Sequence, residues 1–159
     1  MKHQPAGFTL IELVVSVGIM VVLTSVGIAG FLNFQETQTV QTAAYELRQF
    51  YVSAQSQARA KDKPGACGSN ILSAFKVVRS SNTFTQQALC SSTVDLDSMT
   101  IDSTITIAAS SPITFQTQYE GTFSEEKVCL SKGSKKYGFT INKLSQVGDV
   151  MNGATIGCT

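Results

Sequence analysis

The chain has 159 residues, 43% hydrophobic and only 14% charged, with 12 basic and 11 acidic side chains. About 25% charged residues is usual for a soluble domain, so the deficit excludes a disordered, highly charged tail. Domains run to about 100–200 residues, which excludes a large multidomain enzyme, and the balanced charge announces no strongly basic or acidic partner.

Taken from the amino end, the only ionisable side chain between Phe8 and Gln35 is Glu12, and Leu13 to Leu32 carries no charge. About 20 such residues at ~1.5 Å rise cover the ~30 Å hydrocarbon core of a bilayer, so 8–35 reads as a transmembrane helix. A cleavable secretory signal has a shorter apolar region of about 7–15 residues before a small-residue cut. Gly27, Ala29 and Gly30 do offer small residues there. A buried core helix is the other competitor, but few small domains can wrap an all-round apolar helix of this length. Lys2 precedes the run and the next charge beyond it is Glu36. The amino end therefore stays cytoplasmic and everything after Gln35 lies outside.

Glu12 is the anomaly. A carboxylate inside a membrane helix costs about 3 kcal/mol by insertion scales and marks a functional site by default; the bland alternative is that it reaches the headgroups. Beyond the leader no Lys, Arg or His lies near it on the helix. Its cationic partner has to be an amino terminus or another molecule.

The segment Gly7-Phe8-Thr9-Leu10-Ile11-Glu12-Leu13, after a short polar leader and opening a long apolar helix, resembles the processing and assembly signature of type IV pilins and type II secretion pseudopilins. The resemblance covers roughly a third of the chain. It implies a prepilin peptidase cut between Gly7 and Phe8, N-methylation of Phe8, and a glutamate at the fifth mature position, Glu12. The Phe8 amine of one subunit would pair with Glu12 of a neighbour, removing the penalty on an unpaired buried carboxylate. It further implies partners: other pilins in a homo- or hetero-filament, the peptidase, and inner-membrane assembly machinery with an external ATPase. The chain would sit in the cytoplasmic membrane first and in a periplasmic or extracellular filament afterwards. Lys2 and His3 leave with the leader, so the mature chain has 11 basic residues against 11 acidic. Many type IV pilins carry a proline near the position of Ala29, where the helix kinks; here Gly27 and Gly30 stand instead, with Ser25 and Ala29 at small-xxx-small spacing.

Past the span, Val40, Ala44, Leu47, Tyr51, Ala54 and Ala58 recur at alternating spacings of four and three, one apolar stripe on a helix. Residues 36–63 thus read as an amphipathic second half lying against a sheet. Asp62-Lys63-Pro64-Gly65 stops it, and a helix from Phe8 to Lys61 extends about 80 Å.

Residues 64–159 read as a β-rich extracytoplasmic head, so the fold class is α+β and pilin-like. Val94 and Leu96 alternate with Asp95 and Asp97, Ile105 and Ile107 with Thr104 and Thr106, and Ile113 and Phe115 flank Thr114. Tyr137, Phe139 and Ile141 alternate with Gly138 and Thr140. These are period-2 signals for half-buried antiparallel strands. Lys132 to Lys136 reads as a hairpin loop between strands around Val128-Cys129-Leu130 and Tyr137. Ile113-Thr114-Phe115, Gly121 and the Tyr137–Leu144 stretch resemble the minor branch called the GspH/FimT-like group.

Four cysteines lie in the head and none forms a close CxxC pair, which argues against zinc or a redox centre. An even number in an oxidising compartment favours two disulfides. Of the three connectivities, Cys67–Cys90 and Cys129–Cys158 are favoured because each closes a local loop, worth roughly 3–4 kcal/mol apiece; free thiols are the alternative. The second also resembles the carboxy-terminal disulfide loop of many pilins.

Without a histidine after processing, Ser-His and Cys-His nucleophilic systems are lost. Asp95/Asp97 and Glu125/Glu126 read as solvated charge, no phosphate loop appears, and neither a cofactor nor a metal is called for. The chain therefore reads as a structural filament subunit rather than an enzyme. The alternatives are a minor pseudopilin of a type II secretion system, a DNA-uptake minor pilin, and a non-polymerising single-span membrane binding protein. For DNA the candidate patch is Lys132, Lys135 and Lys136, with Lys143 beside it, and a few phosphate contacts would give weak, salt-sensitive binding.

Overall fold

Helix α1 runs from Leu10 to Ala60, since no proline between positions 5 and 64 interrupts its backbone ladder. This computed structural model describes residues 9–117 and 125–158, with the side chains of 25–29 outside the description. The helix closes in a Schellman turn. Lys61 adopts a left-handed φ of 53°, its N–H bonding Ala58 O at 3.2 Å while Asp62 N–H bonds Gln57 O at 3.1 Å. A 3-10 turn at Gly65–Cys67 follows.

The chain divides into two compact units at Thr37/Gln38. In the first, every described large apolar side chain from Leu10 to Leu23 is exposed, between 52% and 82%. Its hydroxyls bond backward instead of outward: Ser16 Oγ donates to Glu12 O at 2.6 Å and Thr24 Oγ1 to Met20 O at 2.7 Å. Such back-bonding withdraws the two hydroxyls from the otherwise apolar surface between Leu13 and Thr24. Among the described residues no helix is long and apolar enough to cross a membrane. The uncharged run Leu13 to Leu32 takes in residues 25–29, whose side chains are not described.

In the second unit the stripe Val40, Ala44, Leu47, Tyr51, Ala54 and Ala58 is at most 2% exposed. Ala43 and Phe50, at 8% each, widen it by one helical row. This face meets two four-stranded antiparallel sheets rather than one. The first has the order β3 (Thr93–Thr100), β2 (Thr83–Leu89), β1 (Ala74–Ser80), β5 (Ile113–Gln116). The second runs β4 (Thr106–Ala109), β6 (Glu126–Lys132), β7 (Lys135–Ile141), β8 (Met151–Asn152). A short helix α2, Gly153–Ile156, is the last described element.

Tyr51 sits where the three layers meet. Its ring makes edge-on contacts with Phe84 and Phe115 of the first sheet at 6.2 and 6.4 Å, and with Phe139 of the second at 5.7 Å. Burial pushes its phenol above the ordinary value, Arg79 opposing and Glu126 adding to the effect. One polar row crosses the core. Gln86, 1% exposed, donates from Nε2 to Gln57 Oε1 at 2.8 Å and accepts from Ser53 Oγ at 3.4 Å. The pairing of β2 with β3 shifts register beside it, at Gln86/Gln87, leaving Leu96 as the extra residue of a bulge.

Strands β1 and β2 precede the first alternation read in the sequence. Their pattern was present in Phe75 and Val77 around Lys76, and in Phe84, Gln86 and Ala88. Gln86, a polar residue on the buried face, obscures it. The expected five-residue lysine loop is tighter: only Gly133 and Ser134 separate β6 from β7, with Gly133 at φ 55°. Cys67 is bonded to Cys90 and Cys129 to Cys158, each with Cα atoms 5.9 Å apart. The second bond ties the carboxyl end to β6, over a row of small residues, Ala108, Cys129 and Gly138, in register across β4, β6 and β7. A Cβ on Gly138 would meet Ile156 Cδ1 at 2.8 Å and run into the Val128 carbonyl. Glycine is what lets α2 seat there.

Candidate assembly site

Gly7 and Phe8, the cleavage pair, lie outside the described residues, as does Gly121. Thr9 opens α1: Leu13 N–H bonds Thr9 O at 3.2 Å, and Glu12 N–H bonds Thr9 Oγ1 at 3.4 Å. This is one half of a Thr-x-x-Glu capping box. That signature is legible in the sequence Thr9-Leu10-Ile11-Glu12. Glu12 therefore sits in the first helical turn, where the helix dipole favours an anion. It is exposed, and among the described residues it has no cationic partner. A carboxylate on an otherwise apolar, unpartnered helix surface can accept an ammonium from another molecule.

The four lysines do not form one patch. Lys132 and Lys135 are register partners at the hairpin end, while Lys136, next along β7, faces the other side of the sheet. Its side chain packs over Gly153, and Lys143 is exposed in the loop after β7. Asp102 lies within electrostatic reach of Lys132. That carboxyl is held below its ordinary range by backbone and side-chain hydrogen bonds from Thr104, with Lys132 a smaller contributor.

Three side chains of α1 outside its apolar stripe, Arg48, Gln55 and Arg59, face the β7–β8 loop. Arg48 Nε donates to Gly148 O at 2.7 Å and its Nη2 to Asp149 Oδ1 at 3.0 Å. Gln55 Nε2 donates to Ser145 O. Arg59 completes an open, polar-lined groove of about 480 Å³. No local signal could have found it, since its two walls lie 100 residues apart. Among the described residues no cluster of His, Cys, Asp or Glu is placed to hold a metal ion.

Residues 2–28 match the family model described as the prokaryotic N-terminal methylation motif. The match ends within the apolar half of α1 and does not reach the strands, so it does not extend to the minor branch. No curated protein and no solved structure matches the chain. The motif indicates a prepilin-like chain, membrane-anchored as a precursor, processed by a peptidase and destined for a filament.

Proposed function

We propose that this chain, whose amino terminus carries the type IV pilin and pseudopilin signature, is a structural filament subunit. It is inserted amino-end-in, cut between Gly7 and Phe8, methylated at Phe8, and stacked through α1 with copies or related subunits. The supporting observation is the amino-terminal stretch of α1: from Leu10 to Leu23 its large apolar side chains are exposed, and Glu12 is the one carboxylate among them, without a cation among the described residues. Moving such a helix from lipid to a bundle of like helices exchanges one apolar surrounding for another, so packing and polar contacts decide the association. Processing would create the missing cation, and Glu12 would select axial register by accepting the Phe8 amine of a neighbour.

Amino-terminal sequencing and intact mass of the assembled material test the reading. We expect a chain starting at Phe8 and, after reduction of its two disulfides, one methyl group heavier than its sequence. Met1 intact, or a cut near Ala29, would overturn it. Glu12→Ala should insert into membranes yet fail to enter filaments, because breaking a buried pair costs about 3–5 kcal/mol; normal incorporation would contradict the pairing. Abundance in purified fibres separates a major subunit from a minor one or a secretion pseudopilin.

A further inference from the structure

We propose that the groove between α1 and the β7–β8 loop receives the acidic edge of β3 from a second copy of this chain. The contact presupposes the filament reading and adds to it a specific interface between heads. Arg48, Gln55 and Arg59 are spaced seven and four residues apart, on one face of α1 over a rise of about 16 Å. The loop that forms the other wall is latched down by Arg48 on Gly148 O and Asp149, and by Gln55 on Ser145 O. Asp149 offsets one guanidinium. Arg59 is exposed and has no carboxylate partner among the described residues, so the groove holds one uncompensated cation.

The complementary feature lies on the opposite sign of charge. β3 is the free edge of its sheet, and Asp95 and Asp97 are exposed on it, alternating with half-buried Val94 and Leu96. Asp95 accepts from Gln87 Nε2 at 2.6 Å and Asp97 from Ser98 N–H at 2.8 Å. Each carboxylate keeps acceptor positions open, and neither has a cation among the described residues. The two carboxylates flank the bulge residue Leu96, and even fully extended two positions of a strand span at most about 7 Å, which fits within the groove's length. Arg59 presents the planar fork that matches a carboxylate. Because groove and edge are different patches of one chain, their contact is heterologous. A heterologous contact that does not close a ring propagates as a helix, which is what a fibre of identical heads requires.

Charges on a free edge also serve simply to block strand addition, a task that lysine performs equally well. The test therefore replaces Asp95 and Asp97 by Lys in the full-length chain, made together with its assembly machinery, and measures sheared fibre yield, amino-terminal processing and non-reducing mobility. We expect D95K/D97K to be processed and disulfide-bonded normally but to lose fibre yield about tenfold or more, like charges now facing one another. Arg59→Glu, at an exposed helix position, should cause the same loss through the other partner, and adding it to D95K/D97K should restore fibres. Fibres at the wild-type level from D95K/D97K, or no restoration in the triple variant, would overturn the contact while leaving the filament reading intact. An unprocessed wild-type chain that forms no fibres would overturn the filament reading itself.

Discussion

Tyr51→Phe isolates one buried group with a computable signature. Tyr51 is 1% exposed, and its phenol is pushed above the ordinary value of about 10 chiefly by burial. In the unfolded chain the same phenol loses its proton near pH 10. Above that pH the unfolded state binds one proton fewer than the folded state, so stability falls as pH rises. Stability is complete below about pH 10 and is lost progressively toward the folded pKa, by about 1.4 kcal/mol at pH 11. With a urea dependence of about 1–3 kcal/mol per M, the midpoint moves down by about 0.5–1.4 M. Tyr51→Phe keeps the ring and its three edge-on contacts but has nothing to ionise. Urea unfolding of wild type and variant in detergent at pH 8 and pH 11, with disulfides intact, compares the two pH-dependent losses. The variant should lose less by about the stated amount. Equal losses in both proteins would refute the idea that the buried Tyr51 hydroxyl stays protonated in the folded head.

Three further perturbations probe the packing. Gln57→Ala removes the acceptor of the buried Gln86 amide and should cost about 1–3 kcal/mol in urea unfolding, whereas replacing both glutamines by Leu should be nearer neutral. Gly138→Ala drives a methyl into the Val128 carbonyl and Ile156 Cδ1; it should destabilise the head by about 1–3 kcal/mol or more and raise protease sensitivity at the carboxyl end. Paired Cys129→Ser and Cys158→Ser changes, opening a link across 29 residues of sequence, should cost about 3–4 kcal/mol and lower the thermal midpoint.

Much of this molecule was legible locally. Hydropathy marked the apolar run from Leu13 to Leu32, and the single acid just before it, Glu12, stood out without any knowledge of the fold. A spacing of four and three placed Val40 through Ala58 on one buried face. Period-2 alternation located β3, β5 and β7 and the inward faces of Phe115, Phe139 and Ile141. Each of these signals depends on residues within a turn or two of one another, where backbone geometry fixes which side chains share a face. Tertiary structure decided what no short window contains. β5 pairs with β1 while its sequence neighbour β4 pairs with β6, so the head has two sheets. Gln86 is buried because Gln57 and Ser53, far back on α1, satisfy it. The β7–β8 loop becomes the wall of a groove because Arg48 finds Gly148 and Asp149 across 100 residues. Such pairings are selected by the burial and hydrogen bonding of groups remote along the chain, and their free energy exists only once the layers have come together.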